Sequence, residues 1–154
     1  MELRLRATRP EDYTTLAGWI SDAESCRRWA GARLVYPFNA NDLPALLANP
    51  GGRSYSLSDE KLTLYGFAQH WQNTPPEEHL GRIIVAPQAR GKGLGRVLCQ
   101  QLIDCAGAAS GASVLTLRVY RDNAVALALY LSLGFLPCET ESNAEVLFMR
   151  RLKS

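Results

Sequence analysis

Residues 85–103, VAPQARGKGLGRVLCQQLI, decide how this chain folds. The apolar run LGRIIVA just before and overlapping them (80–86) reads as a strand. From Gly93 onward, Leu94, Val97, Leu98, Leu102, Cys105 and Ala109 fall on one helical stripe, with Gln101 its single blemish. Between strand and helix, Gly91, Gly93 and Gly95 are interleaved with Arg90, Lys92 and Arg96. A strand therefore ends, the chain turns on residues without a Cβ, and a helix begins. Its first amides have no intrahelical partner, and with the helix dipole they form an anion site that the three cations suit to more than one phosphate.

Two familiar nucleotide loops fail on specific residues. A Walker loop needs a glycine at position 86, where Ala86 stands, and Ser or Thr after Lys92, where Gly93 stands. A dinucleotide fingerprint starting at Gly91 needs its third glycine at Arg96 and an acidic residue about 20 positions on, and both are missing.

A chain of 154 residues with 47% apolar content and a net charge of +2 is expected to be one domain, 1–154, with a full core. Its scattered charge argues against a nucleic-acid partner, and no apolar run approaches the roughly 18 residues that span a bilayer. The expectation is a cytoplasmic protein with no nucleic-acid or membrane partner. Cys26, Cys99, Cys105 and Cys138 form no CxxC pair and have no histidine at ligand spacing, so reduced thiols and no metal are expected.

ELRLRA alternates and reads as a strand, and TRPEDYTTLAGWI as a helix with Thr8 as N-cap and Pro10 in its first turn. The chain to about residue 41 reads as aromatic and irregular, and NDLPALLANPGG as a short helix. RSYSLSDEKLTLYGFAQHW reads as a hairpin turning at Ser58–Lys61, followed by a QNTPPEEH loop whose Glu77 and Glu78 are expected in solvent. VLTLRVY is a strand. DNAVALALYLSLGF is apolar all round, and its alanines, Asn123 as N-cap and Gly134 as stop make it a buried helix. FLPCE and EVLFMRRL close as strands. Mixed meander and βαβ order gives an α/β or α+β sheet with helices on both faces.

The 85–103 stretch resembles the acetyl-coenzyme A signature of the GNAT superfamily of N-acetyltransferases, whose [QR]xxGx[GA] core is met by Arg90, Gly93 and Gly95. NAVALALYLSLGF resembles a second motif of that superfamily through Asn123, Tyr130, Gly134 and Phe135. The resemblance implies a central mixed, mostly antiparallel sheet, splayed at the strand before the glycine loop. It implies acetyl-CoA as co-substrate, with the pyrophosphate on Arg90, Gly91, Lys92, Gly93, Leu94, Gly95 and Arg96. Backbone of Ile83, Ile84 and Val85 would pair with the pantetheine arm, and Asn123 would bond that arm as well. Tyr130 matches the general acid.

Histone-type members carry a glutamate where His79 stands, six residues before Val85. An even offset along a strand places His79 on the face of Val85 and makes it the candidate base, with water-mediated deprotonation as the other option. The implied acceptor is a primary amine of a small molecule or a protein N-terminus, attacked directly in a ternary complex by a monomer or homodimer. Trp19, Trp29, Tyr36, Phe38 and Trp71 are candidates for the acceptor's wall. The alternative is a catalytically idle acyl-CoA binding module.

Overall fold

Strands β1 (Arg4–Ala7), β2 (Arg53–Ser58), β3 (Leu64–Gln72), β4 (Glu77–Val85), β5 (Val114–Tyr120), β6 (Leu136–Pro137) and β7 (Val146–Leu152) form one seven-stranded sheet. The computed structural model describes residues 2–153. Helices are α1 (Asp12–Gly18), α2 (Ala23–Ala30), α3 (Leu43–Leu46), α4 (Leu94–Ser110) and α5 (Ala124–Ser132). The sheet order is β1-β2-β3-β4-β5-β7-β6, and every pairing is antiparallel except β4–β5. That parallel pair needs a crossover, which the glycine loop and α4 supply.

One core lies on the α4–α5 face, where Leu98, Leu102, Ala106, Leu117, Phe135 and Met149 are buried together. The other lies beneath α1, α2 and α3, around Leu16, Ile20, Leu34, Leu43, Leu47, Phe67 and Ile84. The expected α4 stripe is rotated slightly: Cys99, Ile103 and Ala106 are buried and Ala109 is exposed. Gln101, the blemish, has a use. Its side-chain carbonyl accepts the Leu5 N–H at 2.7 Å and its amide donates to the Leu3 carbonyl at 2.9 Å, so it partners the edge strand β1.

Five local expectations change. Thr8 caps no helix but bonds Ser56 (Oγ1 to Oγ, 3.0 Å), and α1 is anchored instead by buried Asp12. The Asp12 carboxylate accepts from both terminal nitrogens of Arg6 (2.7 and 3.1 Å), the Arg9 N–H (2.8 Å) and Ser56 (2.9 Å). Burial alone raises its pKa, and these bonds together outweigh burial and leave it below the ordinary carboxylate value. The supposedly irregular stretch contains α2, capped by Asp22, which accepts from the Ser25 N–H at 2.7 Å, and stopped by Gly31.

The expected 72–79 loop is shorter, because β3 runs through Gln72 and β4 already begins at Glu77. Glu78 is not solvated: it is 4% exposed and meets the Nδ1 of buried His70 at 2.6 Å, while His70 Nε2 meets the Tyr55 hydroxyl at 3.0 Å. Helix α5 is less buried than its apolarity suggests. Tyr130 is buried, but Val125 is 84% and Leu131 45% exposed, because the sheet covers only one side.

Candidate functional site

The β4–β5 ladder covers only Glu77↔Val114, Glu78↔Leu115 and His79↔Thr116. Beyond it the strands part, and the cause is visible in β4. Gly81 pairs with Gln69 and Ile84 with Phe67, so Arg82 and Ile83 together oppose the single residue Ala68. Such a bulge bends its strand. Arg82 takes the strained left-handed backbone at φ 50°. The splay expected before the glycine loop therefore has a specific origin, one extra residue in β4.

A cleft of about 510 Å³ fills the gap, walled by His79–Ile83 of β4, Arg118–Tyr120 of β5, Asn123 and Tyr130 of α5, and Arg27–Ala30 of α2. The β5-facing edge of β4 from Leu80 to Val85 has no strand partner. Because strand backbone groups alternate between edges, part of the Ile83–Val85 backbone faces the gap without a strand partner, the Val85 carbonyl there accepting only from the Arg90 side chain, and such an edge can receive an extended, amide-containing ligand.

At the end of β4, Pro87–Ala89 form a short turn and Gly91 and Gly93 adopt left-handed backbone, φ 77° and 79°. No atom lies within 4 Å of a Cβ built on either, so these glycines are required by backbone conformation and not by crowding. The N–H groups of Gly91, Lys92 and Gly93 make no backbone hydrogen bond among the described residues. Those of Leu94, Gly95 and Arg96 follow in the first turn of α4, where intrahelical acceptors are lacking. Six consecutive amides with a helix dipole behind them fit a pyrophosphate. At Gly95 a Cβ would make only an ordinary contact with Leu129, 3.4 Å from its side chain, so packing of α4 on α5 does not itself demand glycine there. Arg90 donates from Nε to the Val85 carbonyl at 3.1 Å, tying the loop to β4, and Arg96 donates to the Ser132 hydroxyl at 2.7 Å.

Tyr130 is 8% exposed, lies edge-on to Phe135 and borders the cleft. Its hydroxyl has no hydrogen-bond partner among the described residues. Burial first, and then the neighbouring Cys99 thiol, push its pKa far up, so the phenol stays protonated. Asn123 caps α5 by accepting the Ala126 N–H at 3.2 Å, which leaves its side-chain NH₂ available at the cleft.

His79 also borders the cleft, but on the opposite face from Val85. The bulge adds one residue to β4, so the even offset no longer preserves the face. His79 instead shares a side with Gly81 and Trp71, whose ring lies 5.2 Å from the imidazole, while Val85 packs into the α4 core. Its Nδ1 meets the Thr116 hydroxyl at 2.7 Å. Burial, followed by Arg118, lowers its pKa to about 4, so the ring is neutral at pH 7.

Of the candidate wall aromatics, Trp29 and Trp71 line the cleft. Trp19, Tyr36 and Phe38 pack in the α1–α3 core instead. The sequence reading missed Arg82 and Arg118. Arg82 sits inside LGRIIVA, where an interrupting cation in an apolar run was the available signal.

The glycine loop, the parted part of β4 and β5, and the α5 motif all lie within the stretch that one family model matches. That model, of the acetyltransferase (GNAT) family, matches residues 16–135. The chain belongs to the GNAT acetyltransferase family. Among curated relatives, an uncharacterized protein of Mycobacterium leprae is 46% identical over 76 residues, 47% of this chain and 20% of that protein. The N-alpha-acetyltransferase RimI of Mycobacterium tuberculosis is 42% identical over 76 residues, 47% of this chain and 46% of RimI. The matched segments thus span less than half of either relative.

Among solved structures, the spermidine N-acetyltransferase of Vibrio cholerae in complex with CoA and spermine superposes with a TM-score of 0.79 at 21% identity, covering 97% of this chain and 95% of that one. A chimera of the same enzyme with human sequence gives 0.77 at 21%, over 99% and 96%. At this identity the likeness shows the GNAT fold. No helix is long and apolar enough to cross a membrane, and no cluster of metal-binding side chains occurs among the described residues.

Proposed function

We propose that this GNAT chain is an N-acetyltransferase that moves the acetyl group of acetyl-CoA to a primary amine, of a small molecule or a protein N-terminus, by direct attack in a ternary complex. The observation that carries the reading is the bulge-opened cleft, which connects six unpaired loop amides to a protonated, buried Tyr130 through a free strand edge. In this reading the loop amides of residues 91–96 with Arg90 hold the pyrophosphate, and Ile83–Val85 and Asn123 hold the pantetheine arm. The amine nitrogen attacks the thioester carbonyl from the α2 side, and a backbone N–H of the bulge stabilises the oxyanion. As the C–S bond breaks, the thiolate takes its proton from the Tyr130 hydroxyl. The amine's proton goes to neutral His79, which, with a pKa of about 4, passes it on to water instead of retaining it.

RimI and the spermidine enzyme act on different amines by name, so their likeness leaves the acceptor open. The test is thiol release from acetyl-CoA over an amine panel, with wild type and Tyr130→Phe. Transfer should be seen with at least one amine. The variant, which keeps the ring and its packing, should lose about 10²-fold in kcat while CoA affinity is retained. Tight CoA binding with no turnover on any amine would instead identify an acyl-CoA binding module.

A further inference from the structure

Resting on that reading, we infer that the amine acceptor also carries an anionic group, a carboxylate or a phosphate, and that Arg82 is the residue that binds it. Five arginines border the cleft, Arg27, Arg28, Arg33, Arg82 and Arg118, and no Asp lines it. Two of them are neutralised: Arg27 by Glu24 at 2.5 Å and Glu145 at 3.7 Å, and Arg28 by Asp122 at 2.6 Å. The other three form no salt bridge among the described residues. Arg118 donates to the Glu141 main-chain carbonyl and lies over the Phe148 ring, and the Glu141 carboxylate is taken by Arg150.

Arg82 is the one held in place. Its backbone sits in the bulge at φ 50°, and its carbonyl accepts the Trp29 indole N–H at 2.9 Å. Its NH1 donates to the Gln69 side chain at 2.8 Å and the Leu47 carbonyl at 3.2 Å. Its guanidinium lies 5.3 Å from the centre of the Trp71 ring. All these partners are neutral. Burial, and then Arg33, disfavour its charged state, the opposite of what a paired arginine shows.

A partly desolvated cation without a counter-ion costs stability unless something else repays it, and a guanidinium so fixed presents its remaining N–H donors as a fork for a carboxylate or phosphate. Arg82 directly precedes Ile83, on the strand edge assigned to the thioester, and so lies beside the reacting carbonyl. Its location on the α2 side separates it from Arg90, Lys92 and Arg96, the cations assigned to the donor's phosphates. A polyamine, with no anion to offer, would meet repulsion from Arg33, Arg82 and Arg118 together.

The test compares amines in matched pairs: amino acids against their carboxamides, and an aminoalkyl phosphate against the corresponding amino alcohol, with spermidine as the polycation. For wild type, kcat/KM should favour the anionic member of a pair at least tenfold and spermidine should be the poorest. The carboxylate and phosphate pairs separate the two sources of anion. Arg82→Met should bring the ratio within about twofold, and Arg82→Lys should restore part of it. Arg33→Gln, an exposed change that leaves the bulge alone, should lower the ratio as well and serves if the Arg82 variants fail to fold. Calorimetric titration of the same pairs into the CoA complex reads the preference without turnover, so absence of transfer would overturn the acetyltransferase reading without silencing this test. Equal values for acid and amide in wild type would overturn the inference. So would an Arg82→Met variant that loses CoA affinity while keeping the acid preference, since the cation would then serve the donor.

Discussion

At the scale of single residues, backbone conformation and local dielectric set what each group contributes. Gly93 occupies φ 79° with open space around its Cβ direction, so any substitution is opposed by the backbone alone. Gly93→Val forces either strain of about 1–3 kcal/mol or a rebuilt loop. Its amide should no longer face the donor, and CoA should bind about tenfold or more weakly in a folded variant; unchanged affinity by calorimetry would remove the loop from the donor site.

His79 makes a second residue-scale prediction through pH. Its folded pKa is about 4, below the unfolded value near 6.5, so between these pH values the unfolded chain binds a proton that the folded chain refuses. Its contribution therefore favours folding above about pH 6.5 and is lost as pH falls toward 4. Denaturant midpoints for wild type and His79→Gln should accordingly converge from pH 7 to pH 4. Parallel pH profiles would show that the ring is not held neutral.

The limits of the sequence are clearest at residue 82. Glycines 91 and 93 and Asn123 advertise their positions because left-handed turns and caps demand particular residue types. A bulge makes no such demand. Here an arginine adopts the positive φ, and nothing in GRIIV marks the extra residue. That single hidden residue moved His79 to the other face from Val85, and it created the cation that the apolar run appeared merely to tolerate.

At the scale of elements, β4 carries the site. Glu77–His79 pair with β5, and Glu78 and His79 with β3 as well, whereas from Leu80 onward the strand has only β3 beside it, with Arg82 and Ile83 bulged out of that ladder, so one strand serves both as core and as ligand edge. Strands with clean alternation and the capped α4 and α5 were legible in the sequence, since periodicity and caps act locally. The start of β4 was not, because Glu78 is kept in the strand by His70 across the ladder, a long-range partner that local polarity cannot reveal.

Gly81 tests the element directly. A Cβ built there falls 2.3 Å from the Trp71 ring. Gly81→Ala should therefore displace the indole that flanks Arg82, costing about 1–3 kcal/mol of stability as overpacking does. In kinetics it should raise the acceptor KM with CoA affinity retained. An equal loss for donor and acceptor would argue that Trp71 and Arg82 are not confined to the acceptor side.

At the scale of the whole molecule, the sheet divides the work. The α4–α5 face, with its glycine loop and Tyr130, is assigned to the donor. The α1–α3 face, with Trp29, Trp71 and the uncompensated arginines, is assigned to the acceptor. The parted β4–β5 pair joins the two. GNAT membership accounts for the first half, and the fold was legible because its two motifs lie on that face. The acceptor face was not legible, since its cations are scattered through the sequence from Arg27 to Arg118 and meet only when the sheet and α2 assemble.

The central claim, that acetyl-CoA occupies the gap between β4 and β5 with its phosphates on the glycine loop, is tested most directly by amide hydrogen exchange with and without acetyl-CoA. Saturating acetyl-CoA should slow exchange in two separate stretches, Arg82–Val85 and Gly91–Arg96, whose amides gain partners. Saturation with exchange unchanged in both stretches would contradict the account.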